Sequence, residues 1–225
     1  MIDPSDLLAL WTTLKLALIS TLVLLAISVP LAWWLATSKS KVSSVVEVLV
    51  ALPLVLPPTV LGFYLLLLMR PDSPIGGAFY SITGERLVFS FSGLIVGSVI
   101  YSLPFVVQPI QNAFVAIGRQ PMESAATLGA SRIDAFFTVA LPLAKPGVFT
   151  AAILGFAHTV GEFGVVLMIG GNIPGETRVA SIAIYDHVES LNYARAHNLA
   201  GFLLVIAFVL LMVAYSGNRK VRIWR

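Results

Sequence analysis

The chain has 225 residues, of which 58% are hydrophobic and only 11% are charged, less than half the charged share that is typical of soluble domains. A soluble fold of this size could not cover so much apolar surface, so the composition predicts an integral membrane protein, and the long apolar stretches favour helices over barrel strands. The absence of cysteine excludes disulfides and thiolate chemistry, and the dispersed net charge of +3 gives no support to nucleic-acid binding.

Five apolar stretches predict membrane spans: 9–36, 48–69, 87–117, 146–169 and 198–215. Each reaches or approaches the roughly 20 residues that a helix needs to cross ~30 Å of hydrocarbon. The first is too long for the core of a signal peptide and lacks a basic leader, so we expect it to be retained. Residues 1–225 are expected to form one membrane domain.

The orientation follows from the basic residues of the short loops, which favour the cytoplasmic side. Five spans put the termini on opposite sides and divide Lys and Arg into two sets. One set holds five residues: Lys15, Arg70, Arg86, Arg178 and Arg195. The other holds nine: Lys39, Lys41, Arg119, Arg132, Lys145, Arg219, Lys220, Arg222 and Arg225. The sequence therefore predicts an external start (MIDPSD), a cytoplasmic basic tail (NRKVRIWR) and a cytoplasmic segment 119–145.

The second span and the end of the fourth contain residues that are unusual in apolar helices. Pro53, Pro57 and Pro58 remove backbone donors and predict a kink. The kink either lines a transport path or acts as a hinge, or it is a static feature of the packing. Glu162 is costly at this depth unless it is paired or hydrated, and His158 lies one turn earlier on the same face. An ionised Glu162 would repel an oxyanion, so a gating or structural role is favoured over direct binding.

The polar segment 119–145 predicts a pair of short helices. Glu123 favours the positive end of a helix dipole, and Gly129 is typical of the residue that follows a helix C-terminus. Ala125 and Ala126 are expected to form a small exposed face that another protein can approach closely. The segment is either a surface loop that happens to be helical or a docking element.

The second helix of this hairpin is predicted as a separate element over residues 132–141. Ser131 and Asp134 resemble a capping box at its start. Phe136 and Phe137 are expected to anchor the hairpin to the membrane domain, which favours the docking interpretation.

The stretch ESAATLGASRIDAFFTVALP (123–142) resembles the EAA loop of binding-protein-dependent ABC importer permeases. Ser124 and Val139 depart mildly from that pattern. The resemblance implies an all-α integral membrane protein with a five-helix core, in which this loop is a cytoplasmic coupling-helix hairpin that inserts into an ATP-binding subunit. The coupling residues that it implies are Glu123, Ser124, Ala125, Ala126, Gly129 and Ala130.

The same resemblance implies the partners. It implies an assembly of two copies of this chain, two ATP-binding subunits and an extracytoplasmic oxyanion-binding protein in the inner membrane, with ATP and Mg²⁺ on the ATP-binding subunit and no cofactor on this chain. GGNIPGET (170–177) has the spacing of a phosphate-binding loop, but Glu176 stands at the lysine position and the stretch follows a spanning helix. We therefore expect no ATP hydrolysis by this chain.

Two further stretches, LPLVLPPTVLGFYLL (52–66) and GEFGVVLMIGGNIPGETR (161–178), resemble the permeases of molybdate importers, which share them in part with sulfate permeases. This implies import of molybdate by alternating access, with tungstate, sulfate, thiosulfate or another oxyanion as alternatives. The residues expected at the path or gate are Pro57, Pro58, Gly161, Glu162 and Gly164. Those expected to contact the external binding protein are Asn172, Pro174, Gly175 and Arg178, beside an amphipathic external helix over 179–194.

A membrane-embedded enzyme and a membrane sensor are remote alternatives. The three histidines, His158, His187 and His197, are scattered without metal-ligand spacing. A sensor would need a soluble output domain, and the segments between the spans are too short for one.

Overall fold

The structure is a computed structural model that describes residues 3–222, with side chains described for residues 3–213. Its helices, in chain order, are α1 (Pro4–Thr37), α2 (Lys41–Val55), α3 (Pro58–Met69), α4 (Pro74–Thr83), α5 (Phe91–Ile117), α6 (Gln120–Thr127), α7 (Arg132–Ala135), a π-helical turn (Phe136–Ala140), α8 (Leu141–Val160), α9 (Gly164–Gly170), α10 (Ala180–Glu189) and α11 (Tyr193–Arg222). The ends of the predicted external start and basic tail, residues 1, 2 and 223–225, lie outside this range.

Four helical stretches of the described chain are long and apolar enough to cross a membrane, and a bent helix pair provides a fifth crossing if it counts as one span. The four are Pro4–Thr37, Phe91–Ile117, Arg132–Val160 and Tyr193–Val213. The predicted all-α membrane class is therefore confirmed.

The predicted second span, 48–69, is two helices rather than one kinked helix. The axes of α2 and α3 differ by 116° at the break between them. The ring of a proline disfavours the α conformation in the residue before it, and Leu56 and Pro57 accordingly have ψ values of 133° and 136°. Pro53 is accommodated inside α2, so Pro57 and Pro58 produce the bend.

The predicted second helix of the hairpin is not a separate element. One helical stretch runs from Arg132 to Val160 through the π-helical turn. In that turn the Leu141 amide donates to the carbonyl of Phe136, five residues earlier, and Pro142, which has no amide hydrogen, follows directly. Such a turn accommodates an interruption of the α-helical hydrogen bonds without ending the helix. The hairpin is thus joined directly to α8.

Turn residues shift the other predicted boundaries. α5 begins at Phe91 rather than at residue 87, because Phe89 has a positive φ of 56° and Ser90 caps the helix. The predicted helix over 179–194 is α10, and it ends at Glu189 before the turn that starts α11.

α1, α5 and α8 pack together at the centre of the molecule. Leu24 of α1, Val106 of α5 and Ala151 of α8 belong to one buried cluster. Close approach continues towards α9, where a Cβ added at Gly97 would lie only 2.1 Å from Cδ1 of Ile169. This packing sets the break between α8 and α9 directly against α5.

Candidate functional site

The break between α8 and α9 corrects the prediction of one continuous span over 146–169. α8 ends at Val160 and is capped by Gly161, a residue of low helix propensity, whose amide donates to the Ala157 and His158 carbonyls. Glu162 follows directly, and its backbone carbonyl accepts a hydrogen bond from Ser181 Oγ at 2.5 Å. The break therefore places the Glu162 backbone against α10.

The Glu162 carboxylate is buried, with 3% of the residue exposed, and two serines of α5 hold it. Ser98 Oγ donates to Oε2 at 2.5 Å, and Ser102 Oγ donates to Oε1 at 2.8 Å. Hydrogen bonds to a carboxylate offset part of the cost of burying it. The sequence prediction included Glu162 but missed its partners. The signal was a pair of serines four residues apart, on one face of an apolar helix.

His158 completes this cluster from α8. Its Nδ1 lies 2.8 Å from Ser102 Oγ and 3.7 Å from Glu162 Oε1, so the predicted contact with Glu162 is confirmed. Ser102 Oγ also lies 3.1 Å from Thr159 Oγ1, so this one hydroxyl connects Glu162, His158 and Thr159. The imidazole also stacks on Phe105 at 3.9 Å and lies 4.8 Å from the Tyr101 ring.

A cavity of about 560 Å³ opens beside the cluster. It is lined by Pro58, Thr59, Tyr101, Ala157, His158, Gly161, Glu162, Phe163, Gly164, Leu167 and Met168. Four of the five residues predicted at the path or gate thus meet at one cavity, and Pro57 adjoins it without lining it. The lining residues are mostly apolar and include no Lys or Arg, so the cavity has no cation to hold an anion firmly.

The exposed face of α6 differs from the predicted one. Glu123 and Ala126 are exposed, but Ala125 is only 9% exposed, so the expected two-alanine face is wrong for Ala125. The reason is that α6 lies on the membrane domain, where Met122 packs against the central cluster. Leu128, which the sequence analysis missed, is 89% exposed and adds an apolar side chain at the C-terminal end of α6. Of the remaining predicted coupling residues, Ser124 and Gly129 are exposed and Ala130 is half-buried.

Gly129 ends α6 in the predicted way. Its φ is +86°, a left-handed conformation that side chains resist. The Ala130 amide donates to the Ala125 carbonyl, and the Gly129 amide donates to the Ala126 carbonyl, which is the Schellman arrangement. Ser131 then caps α7 by accepting from the Asp134 amide at 3.1 Å. The sharp turn of the hairpin is therefore fixed by local hydrogen bonds.

Phe136 anchors the hairpin, whereas Phe137 does not. The Phe136 ring lies 5.4 Å from that of Trp33 and 6.1 Å from that of Phe114. Phe137 is 62% exposed, because the next residue of a helix points to a different side. The expectation for Phe137 is wrong, and one aromatic side chain links the hairpin to α1 and α5.

The loop between α9 and α10, residues 171–178, packs on α10 through polar contacts. Asn172 donates to both carboxylate oxygens of Asp186 at 3.0 and 3.2 Å, and Arg178 Nε donates to Asn172 Oδ1 at 2.7 Å. Asn172 and Arg178 therefore hold the loop in shape, while Pro174 and Gly175 occupy its exposed tip. Of the four residues predicted to contact the external binding protein, two therefore support the loop and two lie on its surface.

A second polar cluster, which the sequence did not reveal, joins α1 to the helices that follow this loop. Asp6 is 5% exposed; His187 Nε2 lies 2.8 Å from its Oδ1, and Arg195 lies 3.1 Å from its Oδ2. Hydrogen bonds from the Ser5 hydroxyl and amide lower the pKa of the neighbouring Asp3. Within the part of the chain that the structure describes, no group of three or more acidic or histidine side chains could hold a metal ion.

Comparison with known proteins extends these observations. Residues 28–220 match the family model described as "Binding-protein-dependent transport system inner membrane component". The chain is 58% identical over 214 residues to "Molybdenum transport system permease protein ModB" of Azotobacter vinelandii, which covers 95% of each chain. It is 36% identical over 178 residues to the protein of the same name from Haemophilus influenzae, which covers 79% of this chain and 78% of that protein.

A solved structure supports the fold. A chain in the crystal structure of a bacterial alginate ABC transporter, in complex with an alginate pentasaccharide-bound periplasmic protein, matches with a TM-score of 0.76. The match has 20% sequence identity and covers 97% of this chain and 80% of that chain. The family model spans most of the chain, including the hairpin and the cavity. This multi-pass membrane protein belongs to the family of binding-protein-dependent transport system inner membrane components.

Proposed function

We propose that this chain is the permease subunit of an ATP-driven importer that moves molybdate across the cytoplasmic membrane by alternating access. The observation that carries this proposal is the 58% identity, over nearly the full length, to a permease named for molybdenum transport. The two relatives described above are named as molybdenum permeases, and the 58% sequence identity to the first favours molybdate over sulfate as the transported oxyanion.

The cavity contains no positively charged side chain that would hold an anion in place. Its lining includes no cation, and the one carboxylate is engaged by Ser98 and Ser102. An anion can therefore pass without being held by a charged partner. Selectivity and affinity then belong to the external binding protein.

Two interrupted helices form the proposed gate. A Cβ added at Gly164 would lie 2.8 Å from the Cβ of Pro58, so the bend between α2 and α3 touches the break between α8 and α9. A change in either bend must displace the other, since the two are packed so closely that not even a methyl group fits between them at residue 164. Glu162 fastens the α8–α9 break to α5, which makes it a positioning residue of the gate. Pro57 belongs to this gate through the bend, and Gly161 through the break.

The hairpin is the proposed coupling element. The exposed face of α6 faces the ATP-binding subunit and consists of Glu123, Ser124, Ala126 and Leu128. Ala125 is buried and packs α6 against the membrane domain. Gly129 and Ala130 fix the turn that joins α6 to the long helix of α7 and α8. In this arrangement ATP and Mg²⁺ are held by the partner, and motion of the hairpin reaches the cavity through α8.

The proposed assembly contains two copies of this chain, two ATP-binding subunits and an extracytoplasmic oxyanion-binding protein. The hairpin is placed in the cytoplasm and the N-terminus outside, as the basic residues of the short loops favour. Pro174 and Gly175 then lie at the external face, where the binding protein docks, and Asn172 and Arg178 support them.

Reconstitution in proteoliposomes tests this function. The chain is combined with its ATP-binding subunit and binding protein, and uptake of molybdate is measured with and without ATP. We expect ATP-dependent molybdate uptake that tungstate inhibits and that excess sulfate or thiosulfate does not. Uptake of sulfate in preference to molybdate would overturn the substrate, and an assembled complex that hydrolyses ATP but moves no oxyanion would overturn the permease function.

A further inference from the structure

A second, smaller cavity lies between α2 and α5 near the hairpin end of the molecule. Its volume is about 190 Å³, and it is lined by Glu47, Val50, Gln108, Gln111 and Asn112. Four of these five residues are polar, in helices that are otherwise strongly apolar. Gln111 Nε2 donates to Glu47 Oε1 at 2.9 Å, which joins the two walls of this polar groove.

The position of the groove along two apolar helices favours cover by water or by protein rather than by lipid. Glu47 lies six residues after the start of α2, and Gln111 lies six residues before the end of α5, which places each ~9 Å along its helix axis. Glu47 and Asn112 are exposed on the surface of the chain. A carboxylate and carboxamides turned towards hydrocarbon would be costly, and such groups in membrane proteins face a water-filled cavity or another protein segment.

One face of α5 connects this groove to the larger cavity. Tyr101, Phe105, Gln108 and Asn112 follow one another at intervals of four, three and four residues, which places them on a single helical face. Tyr101 lines the larger cavity, and Gln108 and Asn112 line the groove. Phe105 lies between the two and stacks on His158.

We infer that the α2–α5 groove is the inner part of the oxyanion's path and that Glu47 limits how long the anion stays there. The carboxamides of Gln108, Gln111 and Asn112 supply N–H donors for a small tetrahedral oxyanion such as molybdate. Glu47 orients Gln111 by accepting one of its two amide hydrogens and leaves the other free. Its negative charge repels the anion, and no lining residue of the groove is positively charged.

This inference deepens the proposed function and rests on it. The carboxamides replace part of the water that an anion loses on leaving the larger cavity. The carboxylate prevents tight retention, so the anion is released rather than bound again from the cytoplasmic side.

Thiol accessibility tests whether the groove is part of a water-accessible transport path. Asn112→Cys is introduced into the complete transporter, and modification of this chain by a water-soluble thiol reagent is followed by mass. We expect modification that saturating molybdate slows, while Phe208→Cys, at an exposed apolar position of α11, stays unmodified. No reaction at residue 112, or a reaction that molybdate does not slow, would overturn the inference.

Inhibition by internal molybdate tests the role of Glu47. Proteoliposomes are loaded with increasing molybdate, and ATP-driven uptake is measured for Glu47→Gln, with Glu85→Gln in an exposed loop as the matched control. We expect the half-inhibitory internal concentration to fall roughly tenfold for Glu47→Gln, since removing a unit charge near a divalent anion changes its energy on that scale, and to stay unchanged for Glu85→Gln.

The charge-preserving variant Glu47→Asp should keep the wild-type value. An unchanged value for Glu47→Gln would overturn the role of Glu47. The proposed function is judged separately, because wild-type molybdate uptake supports it whatever the groove variants do.

Discussion

At the scale of single residues, the serines of α5 are the supports that burial of Glu162 requires. Removing one hydroxyl leaves a carboxylate oxygen unsatisfied, so Ser98→Ala and Ser102→Ala should each destabilise the protein by about 1–3 kcal/mol. Thermal unfolding of the purified protein measures this. Ser190→Ala is the control, because Ser190 is exposed and bonds only to its own helix. Equal melting temperatures for all three variants would show that the serines do not support Glu162.

Gly97 offers a second prediction at this scale. Gly97→Ala places a methyl group within 2.1 Å of the Ile169 side chain, and overpacking of this kind typically costs ~1–3 kcal/mol. Gly201→Ala, on α11, adds a methyl group that meets no atom within 4 Å outside its own stretch of helix, and it should be neutral or stabilising because alanine favours a helix. A protease or heat challenge of both variants in detergent checks the difference, and a loss of stability in Gly201→Ala alone would contradict the packing.

The sequence predicted some of these residues and not others for a physical reason. Glu162 and His158 are conspicuous because polar groups are costly in apolar helices. Serine is common in such helices and hydrogen-bonds to its own backbone, so Ser98 and Ser102 carry little signal alone. Their role depends on the break after Gly161, which turns Glu162 towards α5, and that is a tertiary effect.

At the scale of elements, the turn of the hairpin is the most specific local structure. Gly129→Val forces a β-branched residue into a left-handed conformation, at a cost of ~1–3 kcal/mol. Ser131→Ala removes one cap, which typically costs ~1 kcal/mol. We therefore expect Gly129→Val to reduce substrate-stimulated ATPase activity of the assembled transporter more than Ser131→Ala does. Equal activity in the two variants would contradict the Schellman turn as the element that sets the hairpin.

The exposed face of α6 gives a prediction about coupling. Glu123→Lys reverses a charge on a surface residue of the proposed docking face and should uncouple transport from ATP hydrolysis or weaken assembly, with folding intact. Co-purification with the ATP-binding subunit and uptake by the assembled protein are the measurements, and Asp72→Lys, on an exposed loop between α3 and α4, is the control. Normal assembly and uptake by Glu123→Lys would refute its coupling role.

Local sequence rules predicted the turns and caps better than the geometry of the connections between helices. The Gly129 turn and the Ser131 cap depend on neighbouring residues and were predicted correctly. The 116° bend at Pro57 and Pro58 exceeds the predicted kink, because two adjacent prolines allowed a sharp turn that packing against α9 completes. The prediction of a separate second hairpin helix was wrong because the π-helical turn accommodates Pro142 without ending the helix. No simple sequence rule anticipates such a turn.

At the scale of the whole molecule, α5 and α8 connect two ends to which we assign different partners. The hairpin lies at one end, and the 171–178 loop and the cluster around Asp6 lie at the other. The cavity at Glu162 sits where α8 breaks, between these ends. In the proposed coupling, a displacement of the hairpin would be transmitted by the continuous helix from Arg132 to the break, and the Phe136 contacts would carry the same motion to α1 and α5.

Coupling to an ATP-binding subunit requires that the hairpin be cytoplasmic, and thiol labelling in intact cells measures this directly. Because the chain has no cysteine, Arg132→Cys and Glu176→Cys each introduce a single thiol, at exposed positions of the hairpin and of the opposite loop. An impermeant reagent should label Glu176→Cys in intact cells, and Arg132→Cys only after permeabilisation. The Arg132 variant is also tested without the ATP-binding subunit, which could cover it. Labelling of Arg132→Cys from outside intact cells would contradict the coupling role and, with it, ATP-driven import.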